Sequence, residues 1–225
     1  MPLTKSSEGL EELVDESSGK EIVIAPVIVD RLDSLMKKYE QFLGLGYGGR
    51  GLVQKHMQDV VLPCDINIFL QSTLHYETHE NYEQNTGLFI SQLIKNSYEA
   101  GNNGFELDMN SLKPINFLVS EVYGTKERMV IVVVKGEAGN YCGCSSQYST
   151  FTIEKAGYGC GHSAQHSTFT VEEAGYLCWY GARNSTFNTH NPEQYERFKK
   201  SVHPSKDNKL YLLSPNGSIL EGGAW

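Results

Sequence analysis

The sequence predicts an α+β chain: an N-terminal helical segment, then a right-handed parallel β-helix of 18-residue coils, then a C-terminal helix and hairpin that cap it. Three observations lead there. First, AGNYCGCSSQYSTFTIEK from Ala138, AGYGCGHSAQHSTFTVEE from Ala156 and AGYLCWYGARNSTFNTHN from Ala174 align without a gap at a spacing of 18. Self-similarity at a fixed period is the mark of stacked supersecondary units. Second, the centre of each unit is β-branched, aromatic and alternating, which suits a strand rather than two helices and a turn. Third, the chain before the repeat is read as mainly helical.

Alternation assigns the faces. Phe151 and Ile153 share one side, as do Phe169 and Val171, while Thr150, Thr152, Thr168 and Thr170 take the other. Stacked units bring like residues about 4.8 Å apart, so Phe151, Phe169 and Phe187 are expected to form an internal aromatic stack. Cys142, Cys160 and Cys178 are expected to form a second internal column. A left-handed hexapeptide helix needs an aliphatic residue every six positions; stepping back from Phe169 meets Ser163 and Gly157, so that template fails.

The remaining elements follow in order. Residues 1–20 read as a flexible acidic tail and 21–103 as a mainly helical region. EIVIAPVIV, interrupted by Pro26, reads as an edge strand or extended segment. Asp30 then caps a helix over 31–43 whose Leu32, Leu35, Met36, Tyr39, Phe42 and Leu43 share a face. DINIFLQSTL suits strand or helix. Thr86 is the expected N-cap of a second amphipathic helix, ended by Gly101. FELDM, INFLV and VIVVV read as strands. Residues 104–191 make up the expected β-solenoid, and 192–225 its cap: the helix PEQYERFKKSV, then a hairpin of KLYLL and ILEGG about the turn SPNGS.

The rhythm seen in GEAGNYCG, KAGYGCG and EAGYLCWYG resembles the Gly-rich β-helix of the glutamate synthase C-terminal domain, a fold that also occurs in formylmethanofuran dehydrogenase. The likeness covers roughly residues 104–191. It implies a right-handed β-helix that serves as scaffold and spacer, and it carries over no catalytic residue. The STF segments depart from that pattern, standing where a second glycine-rich corner would be. The helix-then-repeat layout also resembles archaeal-type proteins of unassigned role, which adds no function.

Charge and composition narrow the partners. A net charge of −8 over 225 residues argues against a nucleic-acid backbone or an anionic membrane surface. No apolar run is long enough to span a bilayer, and the N-terminus lacks the apolar core of a secretory signal. A cytoplasmic protein is expected. Five cysteines, an odd number without secretory context, make a disulfide framework an unsuitable reading.

Several motifs approach a chemical site. Gly44, Gly46 and Gly49 match G-x-G-x-x-G, but a helix precedes them where a dinucleotide fold needs a strand, so an interhelical loop is the better reading. His75 and His79 would share a helix face with Glu77 between them, a metal-ligand spacing without an evident third ligand. Cys144 and His162 occupy one column of the repeat, with Tyr180 next. Facing solvent, they would make a thiolate–imidazolium pair or half of a soft metal site; facing inward, they are core filler, the better-supported reading. The outward threonines resemble the flat hydroxyl array of ice-binding β-helices, but β-propensity alone explains them. No cofactor is expected. Two functions remain: a non-catalytic scaffold or protein-interaction module, with a partner or a second copy on a face or end of the repeat, and a metal-binding or thiol-dependent enzyme using Cys144 and His162.

Overall fold

The computed structural model describes residues 25–45, 57–201 and 207–224. Among the described residues there are four α-helices: α1 (Ala25–Leu43), α2 (Pro63–Ser72), α3 (Tyr82–Glu99) and α4 (Pro192–Ser201). Seven strands are β1 (Gly104–Asp108), β2 (Val130–Ala138), β3 (Ser149–Ala156), β4 (Thr168–Ala174), β5 (Thr186–Thr189), β6 (Lys209–Leu213) and β7 (Ile219–Ala224). They form one sheet in sequence order, parallel from β1 to β6 and antiparallel between β6 and β7.

This corrects the expected fold. The right-handed β-helix and α+β class give way to an α/β-type fold with a single open mixed sheet, and the resemblance to the glutamate synthase β-helix falls with them. The reason lies in the stretches between strands. In this region the described residues outside the named strands contribute only single parallel bridges, at Tyr123, Gln147, Gln165 and Arg183. Elsewhere the connections are turns whose alternate residues adopt left-handed backbone: Phe117, Val119 and Glu121; Tyr141, Gly143 and Ser145; Gly159, Gly161 and Ser163; Leu177, Trp179 and Gly181. This alternation turns successive N–H groups in opposite directions. The Tyr141 and Ser145 N–H groups donate to the carbonyls of Tyr158 (2.7 Å) and His162 (2.7 Å), whereas Gly143 N–H donates back to Leu118 (3.0 Å). The turns are thus bound to one another without forming further sheets. INFLV, expected as a strand, lies in the first of them.

Other elements depart from expectation more locally. Helix α1 begins at Ala25, so the described part of the expected edge strand is helical and Asp30 lies inside the helix. Proline is tolerated in a first turn because its missing N–H would have no intrahelical partner there. DINIFLQS is helical, with Pro63 opening α2. Helix α3 starts four residues before the expected cap; Thr86 is instead a buried interior residue whose Oγ1 lies 2.7 Å from the Tyr39 hydroxyl.

Helices α1, α2 and α3 pack through Tyr39, Phe69 and Phe89, with ring centroids 5.2–5.5 Å apart. Their core is continuous with the inner face of the sheet. Here Phe151 stacks on Phe169 at 4.6 Å and Phe169 on Phe187 at 5.8 Å. Trp179 covers Phe187 at 4.3 Å, and Phe198 of α4 meets Trp179 edge-on at 4.0 Å. The outer face carries Thr150, Thr152, Thr168, Thr170, Thr186 and Asn188, half-buried or exposed.

Candidate functional site

The Cys144–His162 column leads to the most distinctive surface of the molecule. The two residues lie on adjacent turns, tied by the Ser145 N–H to His162 carbonyl bond. Cys144 is buried, whereas the half-buried His162 ring has Nδ1 3.0 Å from Ser163 Oγ. Among the described residues, no group of three His, Cys, Asp or Glu side chains could hold a metal ion.

Around His162 lies a run of aromatic rings. Phe117 stacks on Tyr141 at 5.2 Å and 8°. Tyr141 meets Tyr158 edge-on at 5.5 Å and His162 at 6.2 Å, and His162 continues to Tyr180 at 5.7 Å. Tyr176 and Leu177 stand on the next turn, where Gly159 N–H donates to the Tyr176 carbonyl at 3.0 Å. The outer members are open to solvent: Tyr158 is 38 % exposed, Tyr176 73 %, Leu177 44 % and Tyr180 52 %. The Arg197 guanidinium, from α4, lies 4.5 Å over the Tyr176 ring. Gly159 lets Tyr141 lie flat, because a Cβ there would stand 2.7 Å from the Tyr141 ring.

Beneath this ridge the cysteine column is chemically quiet. Cys142 and Cys160 are fully buried, and desolvation pushes both thiols well above the usual range. Cys178 is pushed up to about 11, chiefly by burial. All five cysteines are described, and none forms a disulfide.

A second feature adjoins the ridge through Arg197. A cleft of about 460 Å³ lies where β2, β3 and β4 end against the first turns of α4. Glu137, Lys155 and Glu173 line up across the three strands at its floor, and Glu193 and Arg197 face it from the helix. Its charges partly answer one another, with Lys155 Nζ 3.5 Å from Glu173.

The other expected sites are not assembled. His75 stands on a 3-10 turn (Thr73–Tyr76), and His79 follows in further turns, so the two do not share an α-helical face. Glu77 accepts the Lys113 N–H at 2.6 Å, and His79 Nδ1 accepts the Asn81 N–H at 3.2 Å. Gly46 and Gly49 lie outside the described residues.

Sequence reasoning missed the ridge, although Tyr158 and Tyr176 stand in one repeat column, because that stretch reads as a glycine-rich corner. Set against known protein families, curated proteins and solved structures, the chain matches none. Among the described residues no helix is long and apolar enough to cross a membrane.

Proposed function

We propose that this chain is a non-catalytic protein-interaction module and that the aromatic ridge is its docking face. The observation that carries the reading is the exposure of Tyr158, Tyr176, Leu177 and Tyr180 as neighbours on consecutive turns. Tyrosine supplies a large apolar body with a polar tip at low cost in side-chain freedom, so it suits a surface that must stay soluble when empty and bury area when filled. Hot spots of binding are enriched in aromatic residues and arginine, and Arg197 over Tyr176 supplies that combination. The partner of this proposal is a protein, since a net charge of −8 opposes a phosphate backbone. A cytoplasmic setting belongs to the same proposal, because five cysteines outside any disulfide suit a reducing compartment.

Quantitative affinity capture from the source cell tests it. The wild-type chain is expected to retain a defined partner that Tyr176→Ser with Tyr180→Ser loses while keeping its melting temperature. Equal capture by both chains would refute the ridge as docking face. The metal- or thiol-dependent reading of Cys144 and His162 rests on two residues with no third ligand beside them among those described. Stoichiometric zinc or iron in purified protein would bring it forward.

A further inference from the structure

We propose that the hairpin turn between β6 and β7 is a self-modification site, where Asn216 loses its side-chain amide to attack by the Gly217 backbone nitrogen. The inference concerns residues other than the ridge and begins from a contrast between two identical dipeptides.

Asn-Gly occurs twice in the chain, at 103–104 and at 216–217. Asn103 is built into the sheet. Its carbonyl accepts the Ile131 N–H at 2.7 Å, and its Nδ2 donates to the Met129 carbonyl at 3.2 Å. Main chain and side chain are thus tied separately, and the nitrogen that would have to leave is held.

Asn216 is placed differently. Residues Pro215, Asn216, Gly217 and Ser218 are all exposed. The turn is closed by the Gly217 N–H donating to the Ser214 carbonyl at 2.8 Å, with Gly217 at a φ of +83°. A Cβ on Gly217 would meet nothing within 4 Å, so no side chain, its own or a neighbour's, screens this part of the turn. The Asn216 side chain is held by its oxygen. The Ser218 N–H lies 3.2 Å from Oδ1, the Ser218 hydroxyl donates to it at 2.8 Å, and the Ser214 hydroxyl donates to it as well. Donors that converge on a carbonyl oxygen stabilise the negative charge that develops there when the carbon is attacked.

The chemistry needs only water. The Gly217 N–H gives its proton to solvent, and the nitrogen bonds to Asn216 Cγ. The bond from Cγ to Nδ2 breaks, and Nδ2 leaves as ammonia after taking up a proton. The five-membered imide that results is opened by water at either carbonyl, which gives aspartate or isoaspartate. Both add one negative charge to the turn. In isoaspartate the main chain also runs through the former side chain and is one methylene longer. The Gly217 N–H to Ser214 bond and the Ser214 N–H to Ser218 carbonyl bond (2.8 Å) then cannot both close as they do now. Among the described residues β7 pairs in the sheet with β6 alone, so its attachment loosens.

Ageing of the full chain in warm neutral buffer, followed by peptide mapping for the amide-to-acid mass gain and for isoaspartate, tests the proposal. Conversion at Asn216 should run at least about tenfold faster than at Asn103 and should accelerate as the pH is raised. Amide exchange at 219–224 should be faster in the converted protein. Asn216→Gln should remove the conversion without moving the melting temperature, since the side chain is exposed and its longer reach would have to close a larger ring. Ser214→Ala with Ser218→Ala should slow it. An aged chain that keeps its amide at Asn216 would overturn the proposal, as would equal conversion at Asn103. Faster conversion in the double alanine variant would overturn it too, because the hydroxyls would then brace the turn rather than activate the amide.

Discussion

At the scale of single residues, the turns decide what the surface can display. Gly161 shows the constraint. A Cβ there would come within 2.7 Å of Trp179 and 3.1 Å of Phe169, both buried in the stack. Trp179 holds the equivalent position one turn later with the same left-handed backbone, so conformation alone does not exclude a side chain; filled space does. We expect Gly161→Ala to lower the melting temperature clearly more than Gly159→Ala, whose new methyl comes nearest the half-buried Tyr141 ring. Calorimetry of the two variants checks this, and equal effects would mean that the stack is loose. The thiols offer a second residue-scale prediction. Burial keeps Cys142, Cys144 and Cys160 from solvent and holds Cys142 and Cys160 protonated at ordinary pH, so alkylation of the folded protein at pH 8 should label the exposed Cys64 first. Cys178 should react slowly, and the others only on unfolding. Fast labelling of Cys144 would favour the thiol chemistry considered for it.

At the scale of elements, the phenylalanine stack ties β3, β4 and β5 to one another, and Trp179 and Phe198 attach α4 to its end. Phe169 is the middle ring and fully buried. Truncating a core aromatic costs about 3–5 kcal/mol, against a total stability of about 5–15 kcal/mol. Phe169→Ala should therefore melt far below wild type or fail to fold, while Thr168→Val, on the outer face, should be nearly neutral in denaturant unfolding. This register was legible in the sequence: Phe151, Phe169 and Phe187 stand eighteen apart and oppose each other directly in the sheet. The assignment of inner and outer faces was legible for the same reason, since alternation has one physical meaning in a half-buried strand. The connections were not. INFLV is as apolar and β-branched as a strand, yet Phe117 and Val119 take left-handed backbone, which non-glycine residues rarely visit and whose cost tertiary hydrogen bonds must offset. No local signal announces that choice. Helix α1 was misjudged differently: Val27, Ile28 and Val29 favour a strand by propensity, yet the helix runs through them.

At the scale of the whole molecule, one sheet divides the work. Its inner face shares a core with the four described α-helices, the side-chain amides of Asn67 and Gln71 bond Asp108 at one edge, and the turns project the aromatic ridge. The candidate site was only half legible. His162 was singled out by its column, with Tyr180 next in it, but its other ring neighbour, Tyr141, comes from another column on another turn, and that proximity depends on a backbone that the sequence does not announce. The central claim is that these rings meet a protein partner. Oxidative footprinting of the chain, free and bound to the partner it captures, tests that claim most directly. Strong protection of Tyr158, Tyr176 and Tyr180 on binding, with Tyr211 of β6 unchanged, is the predicted result. Unchanged labelling of the three ridge tyrosines in a saturated complex would contradict it.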